Sequence, residues 1–264
     1  MTPHISFVCA VQNSSTRGDM AGRLQESMDS IFKTADFPVE YIIVEWNPPP
    51  GLPTLTSLVR LRTGVRTFNV PKSIHDTIPN PHGQHFFEWR AKNVGIRRAN
   101  GKFIVATNAD DIYSSDLMIA LRGLREDSFY RVDRYDILDN RVFKIKRASG
   151  DFRPDEDFTK SKTGVLYSPE MLHYNSSGDF LAMSRENWLR LRGYPEGPHD
   201  GSVDGEMVWV AYKEGLRQVV IDAPLYHLEH PRGDRNAFVP DWKDACPYGE
   251  QNTNTDWGLS DLEL

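Results

Sequence analysis

The chain has 264 residues, 39% of them hydrophobic and 26% charged, a composition that suits one large α/β domain or two small ones. A net charge of -6 without a concentrated basic tract speaks against nucleic-acid binding as the main task. No apolar run is long enough to span a bilayer. Only two cysteines occur, Cys9 and Cys246, which speaks against a disulfide framework or a cysteine-rich zinc site and fits a reducing cytoplasm.

The N-terminus carries no basic region before its apolar run, so Ile5–Val11 reads as a first strand rather than a signal peptide. A polar loop, 12–19, leads to helical spacing over 20–33, with Leu24, Met28, Ile31 and Phe32 on one face. Residues 39–44 form a second buried-strand pattern, closed by Glu45-Trp46-Asn47 and three prolines that take the chain out of the sheet. A short helix is expected over 55–62, a third strand over Val65–Val70 and a loop over 75–85. Residues 87–99 have helical spacing, with Trp89, Val94 and Ile96 as apolar anchors, and Gly101 stops the helix before a fourth strand, Phe103–Thr107. This alternation predicts a mostly parallel sheet with helices on both faces.

From 128 to 163 the chain is charged and weakly periodic, so short strands and long loops are expected. Order returns over 178–215. There a short strand at 180–183 leads to Ser184 as N-cap of a helix Arg185–Leu191 ended by Gly193, and a second helix begins at 202–204 and runs through Lys213. A late strand at 219–221 precedes Tyr226-His227-Leu228-Glu229-His230-Pro231, and the tail from Asp234 onward is polar.

The chemistry centres on Asn108-Ala109-Asp110-Asp111, a carboxylate pair at the end of the fourth strand. Ligands of open α/β sheets bind at such strand ends, and carboxylates there suit Mg²⁺ or Mn²⁺ held together with phosphates. The plainer alternative is a helix cap. Glu45 ends the second strand in the same way, where a carboxylate accepts from a ribose or base, or merely solvates a turn. Arg90, Lys92 and Asn93 offer pyrophosphate ligands, although helical spacing keeps all three from sharing one face. His227 and His230 are candidate metal ligands or simply structural histidines. Asp204 and Glu206 open a helix, as general base or as dipole-favoured caps. Asp179 follows Gly178, whose missing side chain lets backbone approach a sugar.

In this order these features resemble glycosyltransferases of the GT-A fold. Four stretches carry the likeness: residues 5–13; Tyr41-Ile-Ile-Val-Glu-Trp-Asn-Pro; the unit from Trp89 through Asn108-Ala-Asp-Asp; and Gly178-Asp-Phe-Leu-Ala-Met-Ser-Arg-Glu-Asn-Trp followed by Gly193-Tyr-Pro-Glu and Asp204-Gly-Glu. The last is similar to the acceptor half of the galactosyltransferase and chondroitin-polymerase group. The resemblance covers roughly residues 3–232. It implies a single domain, with a nucleotide-sugar-binding half at 1–125, an acceptor half at 126–233 and a tail at 234–264.

The resemblance also implies Asp110 and His227 as ligands of a divalent metal, Mn²⁺ or Mg²⁺, and Asp204 as catalytic base. Asn13, Glu45, Arg90, Asn93, Asn108 and Asp179 would contact the donor. Asn108 departs from the family, replacing the usual first aspartate, and Val203 stands where a glutamate usually precedes the base. The implied activity is hexosyl or hexosaminyl transfer, with inversion, from a nucleoside-diphosphate sugar, UDP-linked by preference, to a glycan or glycoconjugate hydroxyl. Loops at 75–85 and 145–175 would close over the donor. Cytoplasmic placement is expected, with attachment at the inner face of a membrane left open. The competing readings are a non-catalytic nucleotide-sugar-binding module, a sugar-nucleotide nucleotidyltransferase, and a scaffold using the 128–163 segment for protein contacts.

Overall fold

The computed structural model describes residues 3–14, 16–146, 172–173, 178–197, 203–231 and 250–264. Four parallel strands form one half of the sheet: β1 (Ile5–Val11), β2 (Val39–Trp46), β3 (Val65–Val70) and β4 (Phe103–Thr107). In β1, β2 and β4 side chains are buried on both faces, and this explains why those segments read as unbroken apolar runs rather than alternating ones.

The two faces feed separate cores. Phe7, Cys9, Tyr41, Ile43, Phe103 and Val105 pack with Leu24, Met28 and Ile31 of α1 (Met20–Thr34). Val8, Ile42, Val44, Ile104 and Ala106 pack with Ala91, Val94 and Ile96 of α4 (Glu88–Arg98). Helix α4 lies close on the sheet because Gly95 lacks a side chain: a Cβ there would stand 2.4 Å from Val8 Cγ1. Cys9 is a free, fully buried thiol, and burial pushes its pKa up to about 12.

The other half of the sheet is mixed. β8 (Phe180–Ser184) pairs antiparallel with β4, and β6 (Ser128–Leu138) antiparallel with β8. β9 (Arg217–Leu228) runs parallel to β6, while β5 (Asp111–Tyr113) and β7 (Arg141–Lys146) pair antiparallel with β9 and β6. The strand order is β3-β2-β1-β4-β8-β6-β9-β5, with β7 beside β6. α5 (Ser115–Ala120) packs on β9, and the helices α6 (Arg185–Leu191) and α7 (Val203–Lys213) join the α4 core through Trp188, Leu191, Met207 and Val208. The Ser184 hydroxyl caps α6 by accepting from Asn187 N at 3.1 Å, as the sequence suggests. No helix among the described residues is long and apolar enough to cross a membrane.

The architecture is the expected helix-flanked α/β sheet, but several element bounds differ from expectation. The helix expected over 55–62 is one turn, α2 (Leu55–Leu58), because Val59 is extended and Arg60 N turns to the Gln25 side chain at 2.7 Å. The loop expected over 75–85 is preceded by a turn of helix, α3 (Lys72–His75). The largest differences are β6 and β9, 11 and 12 residues long where short strands were expected. Charged side chains disguised β6, where Arg131, Arg134 and Asp136 are buried rather than solvated, and Pro224 interrupts the apolar pattern of β9. Residues 147–171 and 232–249, with most of the expected 145–175 loop and much of the polar tail, lie outside the described residues.

Candidate active site at the carboxyl edge of the sheet

The site begins with the turn after β4. Asp111 is fully buried, and its Oδ2 accepts from Thr107 Oγ1 and from Asn108 N, both at 3.0 Å. One carboxylate therefore holds the turn, which presents Asp110 beyond the strand end. Burial, followed by the charges of Asp179 and Asp110, raises the Asp111 pKa well above the usual carboxylate range.

Asp110 meets two imidazoles. His227 sits inside β9, directly opposite Asp111 across the β5–β9 ladder, and Leu228 N bonds to Asp110 O at 2.9 Å. This pairing ties the turn to β9 and brings His227 Nε2 to 3.6 Å from Asp110 Oδ2. His230 follows the strand, and its Nε2 lies 2.8 Å from the same oxygen. Burial opposes the Asp110 charge, but hydrogen bonds from the two histidines outweigh it and hold the carboxyl below its ordinary range. The hydrogen bond to Asp110 raises the His230 pKa. Ligand atoms of all three residues lie within 4.8 Å of one another.

These groups fit a divalent cation. Metal–ligand bonds of about 2.1 Å put neighbouring donors about 3 Å apart, close to the two distances observed. Asp110 Oδ1 is also buried without a hydrogen-bond partner among the described residues, an arrangement that a cation would satisfy.

A second polar chain runs beside this group. Lys92 is fully buried; its ammonium donates to Asn108 Oδ1 at 2.7 Å and to Gly178 O at 2.8 Å, and pairs with Glu88 at 3.1 Å. Asn108 Nδ2 donates to Asp179 Oδ1 at 2.9 Å, and Arg134 NH1 donates to Asp179 Oδ2 at 2.8 Å. Arg134 Nε stands 2.7 Å from Asp136 Oδ1, which lies 3.1 Å from His227 Nδ1. The register of β6 against β9 shifts between Val132 and Arg134 and then aligns Asp136 with His227. Such irregularities re-aim side chains.

Asp204, in the first turn of α7, lies close to this chain: a Cβ at Gly178 would be 3.5 Å from Asp204 Oδ2 and 3.1 Å from the Trp89 ring. Burial lowers the pKa of Arg131 to about 10, opposed first by the Asp204 charge.

The structure thus brings Asn108, Asp110, Asp179 and His227 together, with Asp204 close by. It places other sequence candidates differently. Glu45, expected at the nucleoside, is fully buried and caps α2. One oxygen accepts from Leu55 N at 2.6 Å; the other accepts from Thr56 N at 3.1 Å and Thr56 Oγ1 at 3.0 Å. Arg90 and Asn93, expected at the pyrophosphate, both turn to Glu196: Arg90 NH1 at 2.9 Å and Asn93 Nδ2 at 2.8 Å. They hold the 194–197 segment onto α4. Asn13, two residues past β1, stays at the same carboxyl edge as the β4 turn, and its amide donates to Pro53 O at 2.8 Å.

Arg134 and Asp136 were not singled out from the sequence, although a strand carrying charges at i and i+2 puts both on one face. His230 was weighed both as a metal ligand and as a structural histidine, and its place beside Asp110 depends on the course of the chain after β9.

Neither a family model nor a curated protein matches the chain. Solved structures do match. S. aureus TarS, residues 1–349, aligns with a TM-score of 0.54 at 14% identity, over 85% of this chain and 60% of that one. The same protein in complex with UDP-GlcNAc aligns at 0.52 and 14%, over 88% and 60%. The mannosyltransferase PcManGT from Pyrobaculum calidifontis, in complex with GDP-Man and Mn²⁺, aligns at 0.49 and 17%, over 86% and 57%. The chain spans less than two thirds of the length of these proteins. The likeness is one of fold, and the fold is GT-A.

Proposed function

We propose that this chain of GT-A fold is a metal-dependent glycosyltransferase. It moves a hexosyl or hexosaminyl group, with inversion, from a nucleoside-diphosphate sugar, UDP-linked by preference, to a hydroxyl of a glycan or glycoconjugate. The observation that carries this reading is the meeting of Asp110 and His227 at the carboxyl edge of the sheet, their ligand atoms 3.6 Å apart although one lies in the turn after β4 and the other in β9, far apart in sequence. The TarS complex with UDP-GlcNAc supports a nucleotide-sugar donor on this fold.

In this reading Asp110 and His227 would hold Mn²⁺ or Mg²⁺, which would supply positive charge to the leaving diphosphate. Asn13, Asn108 and Asp179 face the donor from the ends of β1 and β4 and from the start of β8. Glu45, Arg90 and Asn93 act by shape instead: Glu45 fixes the α2 turn, and the other two fix the 194–197 segment. Lys92 supplies a buried positive charge beside Asn108. Asp204 accepts the proton of the acceptor hydroxyl as that oxygen attacks the anomeric carbon from the face opposite the leaving diphosphate. Residues 1–125 form the donor half and 126–233 the acceptor half. The working compartment is the cytoplasm.

A thermal-shift screen of UDP, GDP and their sugars, each with and without Mn²⁺, tests the reading. Ligands that bind only the folded state raise its melting temperature. The expected result is a metal-dependent shift with a nucleoside diphosphate, and its absence across all of them overturns the reading. A shift without sugar transfer or donor hydrolysis identifies a non-catalytic binding module instead.

A further inference from the structure

His227 stands between two carboxylates, Asp110 on its Nε2 side and Asp136 on its Nδ1 side. Two groupings can therefore hold a cation: Asp110, His227 and His230, or Asp136, His227 and Glu229. Charge separates them. The Arg134 guanidinium already lies 2.7 Å from Asp136 Oδ1, so a second cation there would face a fixed positive charge at close range. No such ion pair is made to Asp110 among the described residues, apart from the two imidazoles themselves.

We infer that the metal site is a one-carboxylate, two-imidazole site of Asp110, His227 and His230, in which Asp136 is a positioning residue, and that it prefers transition ions to Mg²⁺. Resting on the reading above, the inference concerns how the metal is held and which metal is chosen.

Asp136 Oδ1 lies 3.1 Å from His227 Nδ1, so its charge favours the tautomer protonated on Nδ1 and leaves Nε2 as the lone-pair donor toward Asp110, the carboxylate–histidine–metal arrangement that orients the ring and raises ligand basicity. Arg134 in turn clamps Asp136 and Asp179. Asn108 is kept off the metal, because its oxygen accepts from Lys92 and its nitrogen donates to Asp179. With that amide withdrawn, two of the three protein donors are imidazole nitrogens. Carboxylate and water suit Mg²⁺, whereas imidazole favours first-row transition ions, with affinity rising from Mn²⁺ to Co²⁺.

Calorimetric titration of the full chain with Mg²⁺, Mn²⁺ and Co²⁺, without any donor, tests this, together with the visible spectrum of the Co²⁺ form. The expected affinity order is Mg²⁺ below Mn²⁺ below Co²⁺. His230→Gln is expected to cut Co²⁺ affinity tenfold or more, narrow the gap to Mg²⁺ and change the Co²⁺ spectrum. Asp136→Asn is expected to weaken Mn²⁺ binding by about 10–100-fold, while Glu229→Gln leaves it unchanged. His230→Asn serves as a second variant if His230→Gln does not fold, as judged by melting temperature. Equal or tighter Mg²⁺ binding, or a Co²⁺ spectrum and affinity unmoved by both His230 variants, overturns the inference. So does loss of metal in Glu229→Gln. Because no sugar nucleotide is present, failure of the transferase reading leaves this outcome standing, and donor turnover that needs no metal defeats that reading separately.

Discussion

Asn108 and Asp179 are joined by a 2.9 Å hydrogen bond from the Asn108 amide to Asp179 Oδ1. This contact accounts for the amide at a position where the resembled family carries aspartate. A carboxylate there would keep the bond from Lys92 but would turn an acceptor toward Asp179, leaving Asp179 Oδ1 without its donor and adding like-charge repulsion. Asn108→Asp is expected to lower stability by roughly 1–3 kcal/mol, read as a lower denaturant midpoint at unchanged slope. It is not expected to strengthen Mn²⁺ binding. A raised midpoint would show that the new ion pair with Lys92 outweighs the lost donor.

Gly95 sets how closely α4 lies on the sheet. A methyl group there would meet Val8 Cγ1 at 2.4 Å and the Ile42 and Val44 methyl groups at 3.2 Å. Gly95→Ala is expected to destabilise by roughly 1–3 kcal/mol through overpacking, although alanine favours helix. Equilibrium unfolding checks the sign, since a stabilised variant would mean that α4 can lift without loss.

Glu40 predicts how the fold responds to acid. Burial opposes its charge, but Asn100 N donates at 2.9 Å, the Ser6 hydroxyl donates to it, and Arg66 pairs with it at 2.7 Å. Together they lower its pKa from the ordinary 4.5. A carboxyl whose folded pKa is depressed contributes stability above its unfolded pKa, and that contribution is lost as pH falls through the folded value. Melting temperature is therefore expected to drop as pH falls below about 4.5, with a shallower drop in Glu40→Gln, which starts from lower stability at neutral pH. Parallel curves for the two proteins would assign the acid loss to other groups.

The parallel half of the fold was legible in the sequence because β1, β2 and β4 are buried on both faces, and helices with plain spacing separate them. β6 was not, because Arg131, Arg134 and Asp136 give it the composition of a solvated loop although all three are buried, Arg134 between Asp136 and Asp179 and Arg131 donating to Phe180 O. Asp110 stood out as a strand-end carboxylate; His227 and His230 stood out after the last strand as metal ligands or structural histidines, and the family resemblance picked His227 of the two. Glu45 carried the same local signal as Asp110, yet it caps a helix turn. A strand-end acid looks alike in both roles, and only the path of the following backbone tells them apart. Arg90 and Asn93 are engaged by Glu196, a partner far later in the chain that no local pattern announces.

The central claim is that Asp110, at the end of β4, holds the cation on which sugar transfer depends. Release of nucleoside diphosphate from UDP- and GDP-sugars, followed with Mn²⁺ for the wild type and for Asp110→Asn of matched melting temperature, tests it most directly. The account predicts metal-dependent release by the wild type and a loss of about 10²–10³-fold in the variant, the scale of removing one electrostatic stabiliser of a reacting group. Release at the wild-type rate from Asp110→Asn, or wild-type release unaffected by chelation of the metal, would contradict it.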